Sequence, residues 1–180
     1  MRRNRIVIRI ALDSMLSALY FVLAYLTIAI GNVHITLASL AVVFAATSIG
    51  LGDSLIIALL GEFLIQLLKY GLTVTTAAWI LPPAFRGLVI GIAALIYWKK
   101  KDRIENHLVV YYLILVLASL VTSAANTGVI FLDAYVYQYP VSYALVETIV
   151  RFAVGLATAI VTGTINLPLT KLYHKNFQKN

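Results

Sequence analysis

Leu108-Val-Val-Tyr-Tyr-Leu-Ile-Leu-Val-Leu-Ala-Ser-Leu-Val-Thr-Ser-Ala-Ala-Asn-Thr-Gly-Val-Ile-Phe131 carries no charged residue along its whole length. About 20 mostly apolar residues suffice for a helix to cross the hydrocarbon of a bilayer, so this stretch predicts a transmembrane helix. Outward from it, similar apolar runs occupy 6–30, 35–50, 53–70, 79–98 and 142–172. The expected fold is therefore an all-α membrane protein: a compact bundle of six transmembrane helices forming a single integral membrane domain over 1–180. The second run is short, bounded by Gly31-Asn32 and by Gly50-Leu51-Gly52-Asp53, and reads as a tilted, curved or incomplete span. Asp53 is placed to cap the third helix.

Composition agrees with the runs. Apolar residues make up 62% of the chain and charged residues only 12%, a balance outside the range of soluble domains. The chain has no cysteine, which excludes disulfides, thiolate metal ligands and cysteine catalysis. Met1-Arg-Arg-Asn-Arg5 leads into a long apolar run without a small-residue cleavage signal, so the first helix is expected to be retained.

A net charge of +7 would suggest nucleic acid if topology did not account for it. With a cytoplasmic N-terminus, the inner segments hold Arg2, Arg3, Arg5 and Arg9, then Lys99, Lys100, Lys101 and Arg103, then Lys171, Lys175 and Lys179, eleven of the fourteen basic residues. The outer connections 31–34, 70–78 and 132–141 contain no Lys or Arg. This bias predicts that both termini are cytoplasmic, and the lipid bilayer replaces nucleic acid as the partner the charge implies. Tyr70, Trp79, Tyr135, Tyr137, Tyr139 and Tyr143 fall on the outer side, where amphipathic rings favour the interface. No convincing internal repeat is present, unlike many secondary transporters.

Ionisable groups inside a bilayer are costly and usually face a partner, a cavity or a substrate path. The alternating directions of the helices place Glu62, Gln66 and Lys69 in the outer half of helix three, and Trp79 and Arg86 in that of helix four. Asn126 and Thr127 reach the same slab from helix five; Tyr143, Glu147 and Arg151 reach it from helix six. The inner halves are mostly aliphatic, apart from Asp13, Ser14 and small hydroxyls of helix six. Glu62 and Gln66 are four residues apart, as are Glu147 and Arg151, so each pair shares a helix face. An intrahelical ion pair at Glu147–Arg151 and a helix-locking Arg86 would be structural explanations for single residues. Helix locking gives no reason for four helices to gather polar groups at one depth, whereas a polar cavity does.

Gly71-Leu-Thr-Val-Thr-Thr-Ala-Ala-Trp-Ile-Leu-Pro-Pro-Ala-Phe-Arg-Gly87 is the most distinctive stretch. Its glycine and β-branched threonines predict a loop, and Pro82-Pro83 fits the first turn of a helix. Tyr70, Thr73, Thr75 and Thr76 would then form a lid over the cavity, or a plain connector. No nucleophile–base pair or metal ligand set is evident: His34, His107 and His174 lie in separate connections or tails. Glu62 and Glu147 beside Arg86 and Arg151 look like charge-balanced recognition more than acid–base catalysis. The absence of a Walker-type phosphate loop means the chain itself does not hydrolyse ATP. Ala11, Ser14 and Ala18 on helix one are small residues spaced to admit another helix. Gly155, Ala159 and Gly163 on helix six are spaced likewise, and are read as internal packing.

With six short helices, a small-residue first helix, a threonine-bearing outer loop and Trp79-Ile-Leu-Pro-Pro-Ala-Phe-Arg-Gly-Leu-Val-Ile-Gly91, the chain resembles the substrate-binding S components of energy-coupling factor (ECF) vitamin transporters. The resemblance implies a multi-pass protein of a prokaryotic plasma membrane that is not an enzyme. Such a subunit binds a vitamin or precursor near the outer face and joins a transmembrane coupling subunit and two ATPase subunits. It holds no cofactor itself, and ATP is used by the partners. Ser14-x-x-x-Ala18 stands where the family has an Ala-x-x-x-Ala docking surface, with Ala11 an alternative register, and the loops 31–36 and 70–79 correspond to those that close over ligand. Substrate contacts are expected from Glu62, Gln66, Trp79, Arg86, Asn126, Tyr143, Glu147 and Arg151. Arg86 and Arg151 suit a carboxylate, as in pantothenate or folate, whereas Glu62, Glu147, Gln66 and Asn126 suit a pyridoxine or hydroxymethylpyrimidine type of ligand. The competing functional class is an autonomous secondary transporter or channel for a small polar solute.

Overall fold

The computed structural model describes residues 2–30, 33–138 and 140–177, with side chains at all of these except 2–5, 28–30, 33, 34, 141, 143 and 177. Six helices account for most of them: α1 (Arg2–Tyr25), α2 (Ser39–Ser48), α3 (Leu51–Ile65), α4 (Thr76–Lys99), α5 (Leu108–Tyr137) and α6 (Val141–Phe177). All but α2 are long and apolar enough to cross a membrane, α3 once the π-helical turn Gln66–Tyr70 that continues it is included. At 1.5 Å per residue, the ten residues of α2 reach only about 15 Å, half the hydrocarbon thickness. α2 is instead almost wholly buried inside the bundle, with Ala41, Val42, Val43, Ala45 and Ala46 in the core.

Several boundaries differ from the sequence reading, each for a local reason. The first apolar run ends as a helix at Tyr25, and β1 (Ile28–Ile30) and β2 (Val33–Ile35) form a short antiparallel ribbon that pairs Ile28 with Ile35. β-Branched residues favour such pairing once the helix has stopped. Gly31 and Asn32 of the expected outer loop lie outside the described residues. The expected connection 132–141 is mostly helix, because α5 runs on to Tyr137 before Gln138 turns the chain at φ 58°. α4 starts at Thr76, so Pro82 and Pro83 sit in its second turn and not its first, where their ring nitrogens cannot donate to the carbonyls of Ala78 and Trp79. Asp53 does not cap α3, which begins at Leu51 after Gly50; it lies in the first turn and forms a two-pronged ion pair with Arg9 of α1.

One end of the bundle gathers the start of α1, the start of α3, the α4–α5 connection and the end of α6, and with them most of the basic residues. The connection is folded on itself: Asp102 accepts hydrogen bonds from the Arg103 backbone N–H and Asn106, and faces His107 Nε2 at 2.7 Å. These partners, His107 first, pull its carboxyl down to about 2. A polar cluster sits just inside this end, where an aliphatic interior was expected apart from Asp13, Ser14 and small hydroxyls. Buried Asn166 donates to Thr47 Oγ1 and to Tyr111 Oη, and buried His174 lies 3.2 Å from the carboxylate of Glu105. Gly163 faces Leu115 and Tyr111, and Gly155 faces Ser119 and Ser123, so the small residues of α6 pack internally against α5.

Candidate functional site

At the end opposite the basic residues the helices diverge around a cavity of about 500 Å³, within the usual range for small-molecule sites. The walls come from every helix. α3 supplies Glu62 and Ile65, the π-helical turn that continues it supplies Gln66, and α4 supplies Trp79, Pro83 and Arg86 at i, i+4 and i+7. α5 contributes Thr122, Ser123, Asn126, Asp133 and Tyr137, and α6 contributes Glu147, Arg151, Val154, Gly155 and Thr158. Tyr20 and Ala24 of α1, and Ser39 and Val42 of α2, join the lining with Thr27, Thr36 and Ala38. Glu62, Gln66, Trp79, Arg86, Asn126, Glu147 and Arg151 thus face one hollow, although they lie as far apart as 89 positions in the chain. Tyr143 belongs to α6, but its side chain lies outside those described.

Two polar constellations organise the walls. Tyr20 Oη donates to Glu62 Oε2 at 2.7 Å and Gln66 Nε2 donates to Glu62 Oε1 at 3.0 Å, so both carboxylate oxygens are held. Across the cavity, Trp79 Nε1 donates to Asp133 Oδ2 at 2.9 Å, and the Arg151 guanidinium lies 5.6 Å from the centre of the Trp79 ring. Arg151 also donates to Glu147 Oε1 through Nε at 3.1 Å and Nη2 at 2.5 Å, so the intrahelical pair considered for these two residues is formed while both line the cavity. Lys69 is not among the lining residues and is held at the rim by the carbonyls of Ala24 and Tyr25 and by Thr27 Oγ1, to which it donates. Arg86 makes no ion pair or hydrogen bond among the described residues, nor does the Asn126 side chain.

Asp133, Tyr20, Thr122, Ser123 and Thr158 belong to this lining and were absent from the sequence reading. Sequence alone puts Asp133 in a connection, because hydropathy does not separate the last turns of a helix from the loop after it. Tyr20 looked like one more apolar position of α1; its spacing from Asp13 and Ser17, the other buried polar positions of that helix, was the available signal.

The loop expected to cover the cavity runs from a π-helical turn, Gln66–Tyr70, through Gly71 at φ 80° to α4. Gly71 takes a left-handed angle that most side chains disfavour, which lets the chain reverse there. The Thr73 backbone N–H donates to Thr76 Oγ1 at 2.7 Å, and Thr75 and Thr76 are buried. Tyr70, Thr73 and Thr75 line the cavity, whereas Val74 is fully out of it and exposed. On α1, Ala11, Ser14 and Ala18 are exposed along one face, among Ile10, Met15, Leu19 and Val22.

Residues 8–173 match the sequence model of the family described as ECF transporter, substrate-specific component. The chain belongs to that family. It is a substrate-binding transport protein of the membrane and not an enzyme, since that is what this family comprises. Two solved structures are similar across nearly their whole length. One is the S component for biotin from an ECF-type ABC transporter, with a TM-score of 0.66, 18% identity and 95% of each chain covered. The other is the S component of a bacterial ECF transporter, with a TM-score of 0.64, 18% identity and 99% of each chain covered. At that identity the likeness carries the fold. No protein of curated function is matched by sequence.

Proposed function

We propose that this S component captures a water-soluble vitamin or vitamin precursor in the 500 Å³ cavity and presents it for ATP-driven uptake by partner subunits. The observation that carries the reading is the convergence of Glu62, Arg86, Asn126, Asp133, Glu147 and Arg151 on one hollow. Lipid would expel these groups, while a polar solute of vitamin size would satisfy them. The basic end lies in the cytoplasm with both termini, following the distribution of Lys and Arg, so the cavity opens toward the outer face. Pantothenate, folate, a pyridoxine or hydroxymethylpyrimidine compound, and biotin, the ligand named for one similar structure, are the candidate solutes. Glu62, Gln66, Trp79, Arg86, Asn126, Tyr143, Glu147 and Arg151 are the proposed contacts, and Tyr70, Thr73, Thr75 and Thr76 the proposed lid.

The partners are a transmembrane coupling subunit and two ATPase subunits, with the exposed Ala11, Ser14 and Ala18 face as the surface for the coupling subunit. Purified protein tested for thermal stabilisation against a panel of B vitamins checks the capture step. One or more ligands should raise the melting temperature at micromolar concentration, and a panel without effect would contradict the reading.

A further inference from the structure

The charged groups of the cavity are unequally occupied. Glu62 accepts hydrogen bonds on both oxygens, Asp133 accepts the Trp79 indole N–H, and Glu147 is ion-paired with Arg151. Each carboxylate in the walls therefore already holds at least one donor of the protein. Arg86 holds no acceptor among the described residues, although its five N–H donors make it the group with most to satisfy. It is the eleventh residue of α4, about 15 Å along the axis from the start of that helix, a depth at which an unneutralised guanidinium is costly. Asn126, on the same lining, also holds no side-chain hydrogen bond among the described residues, and its amide adds a donor and an acceptor.

Formal charge does not select the ligand, because the walls carry three acids against two bases. Prior engagement does. A cationic or purely donor ligand meets carboxylates that each already hold a protein donor, with Asp133 Oδ1 and Glu147 Oε2 the oxygens left open among the described residues, whereas an anionic ligand meets in Arg86 a guanidinium that holds no acceptor there. We infer that the solute captured here is a carboxylic acid, its carboxylate received by Arg86 in a paired, charge-assisted contact, with Asn126 a further polar group of the same lining. Its remaining body extends toward Trp79, whose ring faces the same hollow seven residues nearer the start of α4. This rests on the capture reading and narrows it: pantothenate, folate and biotin remain, and pyridoxine and hydroxymethylpyrimidine compounds leave the list.

Calorimetric titration of the purified wild-type chain with matched pairs tests it: biotin against biotin methyl ester, pantothenate against panthenol, and folate against its dimethyl ester, with pyridoxine and hydroxymethylpyrimidine alongside. At least one acid should bind roughly 10- to 150-fold more tightly than its uncharged counterpart, the ratio set by a lost charged hydrogen bond. Arg86→Gln should erase that ratio and Arg86→Lys should keep part of it. Equal binding of acid and uncharged analogue overturns the carboxylate assignment and leaves vitamin capture standing, as does tight binding of pyridoxine or hydroxymethylpyrimidine by wild type and Arg86→Gln alike. Binding of no compound in the set sinks both. The wild-type comparison decides the matter even if neither Arg86 variant folds.

Discussion

Tyr20 shows what a single hydroxyl does in this site. Its Oη fixes one oxygen of Glu62 while Gln66 fixes the other, so the carboxylate is aimed before any solute arrives. Tyr20→Phe keeps the ring and removes the donor, and should weaken vitamin binding by about 1.5 kcal/mol, roughly tenfold, in equilibrium titration. An unchanged dissociation constant would make Glu62 a bystander. Residues of this kind divide by how visible they are in a sequence. Glu62, Arg86, Asn126 and Glu147 announce themselves because polar groups within apolar runs need a reason to be there. Tyr20 does not, since a tyrosine costs little on a membrane helix, and its role appears only when Glu62, 42 positions away, is brought beside it. Glu105 and His174 are hidden similarly: each reads as part of a polar connection or tail, yet both are buried against the end of α2 and α6.

Among the elements, α1 and α3 are in tight contact at Gly61, where an added Cβ would lie 2.4 Å from Tyr20 Cδ1 and 2.8 Å from Tyr20 Cβ. The tyrosine cannot swing clear, because its own Cβ is part of the clash. Gly61→Ala should therefore part the two helices, costing about 1–3 kcal/mol and lowering the thermal midpoint together with ligand affinity. Gly128→Ala, which meets open space, should leave both unchanged. The six apolar runs were readable because hydropathy scales directly with span length. Their ends were less so: the ribbon Ile28–Ile30 with Val33–Ile35 and the added turns of α5 depend on pairing and packing that composition does not encode. The α4 prolines illustrate the same limit. Pro82-Pro83 pointed to a first turn, but the buried Thr75 and Thr76 start the helix earlier and carry the prolines inward.

For the whole molecule, the proposed sidedness and division of labour can each be tested. The cysteine-free sequence makes single-cysteine labelling clean: Gln138→Cys should react with an impermeant maleimide in intact cells and Lys100→Cys only after permeabilisation. The reverse pattern would invert the topology and put the cavity on the cytoplasmic side. Capture and uptake should also separate. Ala18→Trp, on the exposed face of α1, should leave vitamin affinity intact and abolish ATP-dependent uptake into liposomes containing all the subunits, whereas uptake by this chain alone would favour the autonomous-transporter class. Beneath these tests lies the claim that one polar hollow holds one small solute. Native mass spectrometry of the chain released from micelles, after exposure to micromolar B vitamins, measures it directly. A single vitamin adduct per chain, saturating at one-to-one stoichiometry, is the expected result, and a spectrum with no saturable adduct would rule the shared hollow out as the binding site.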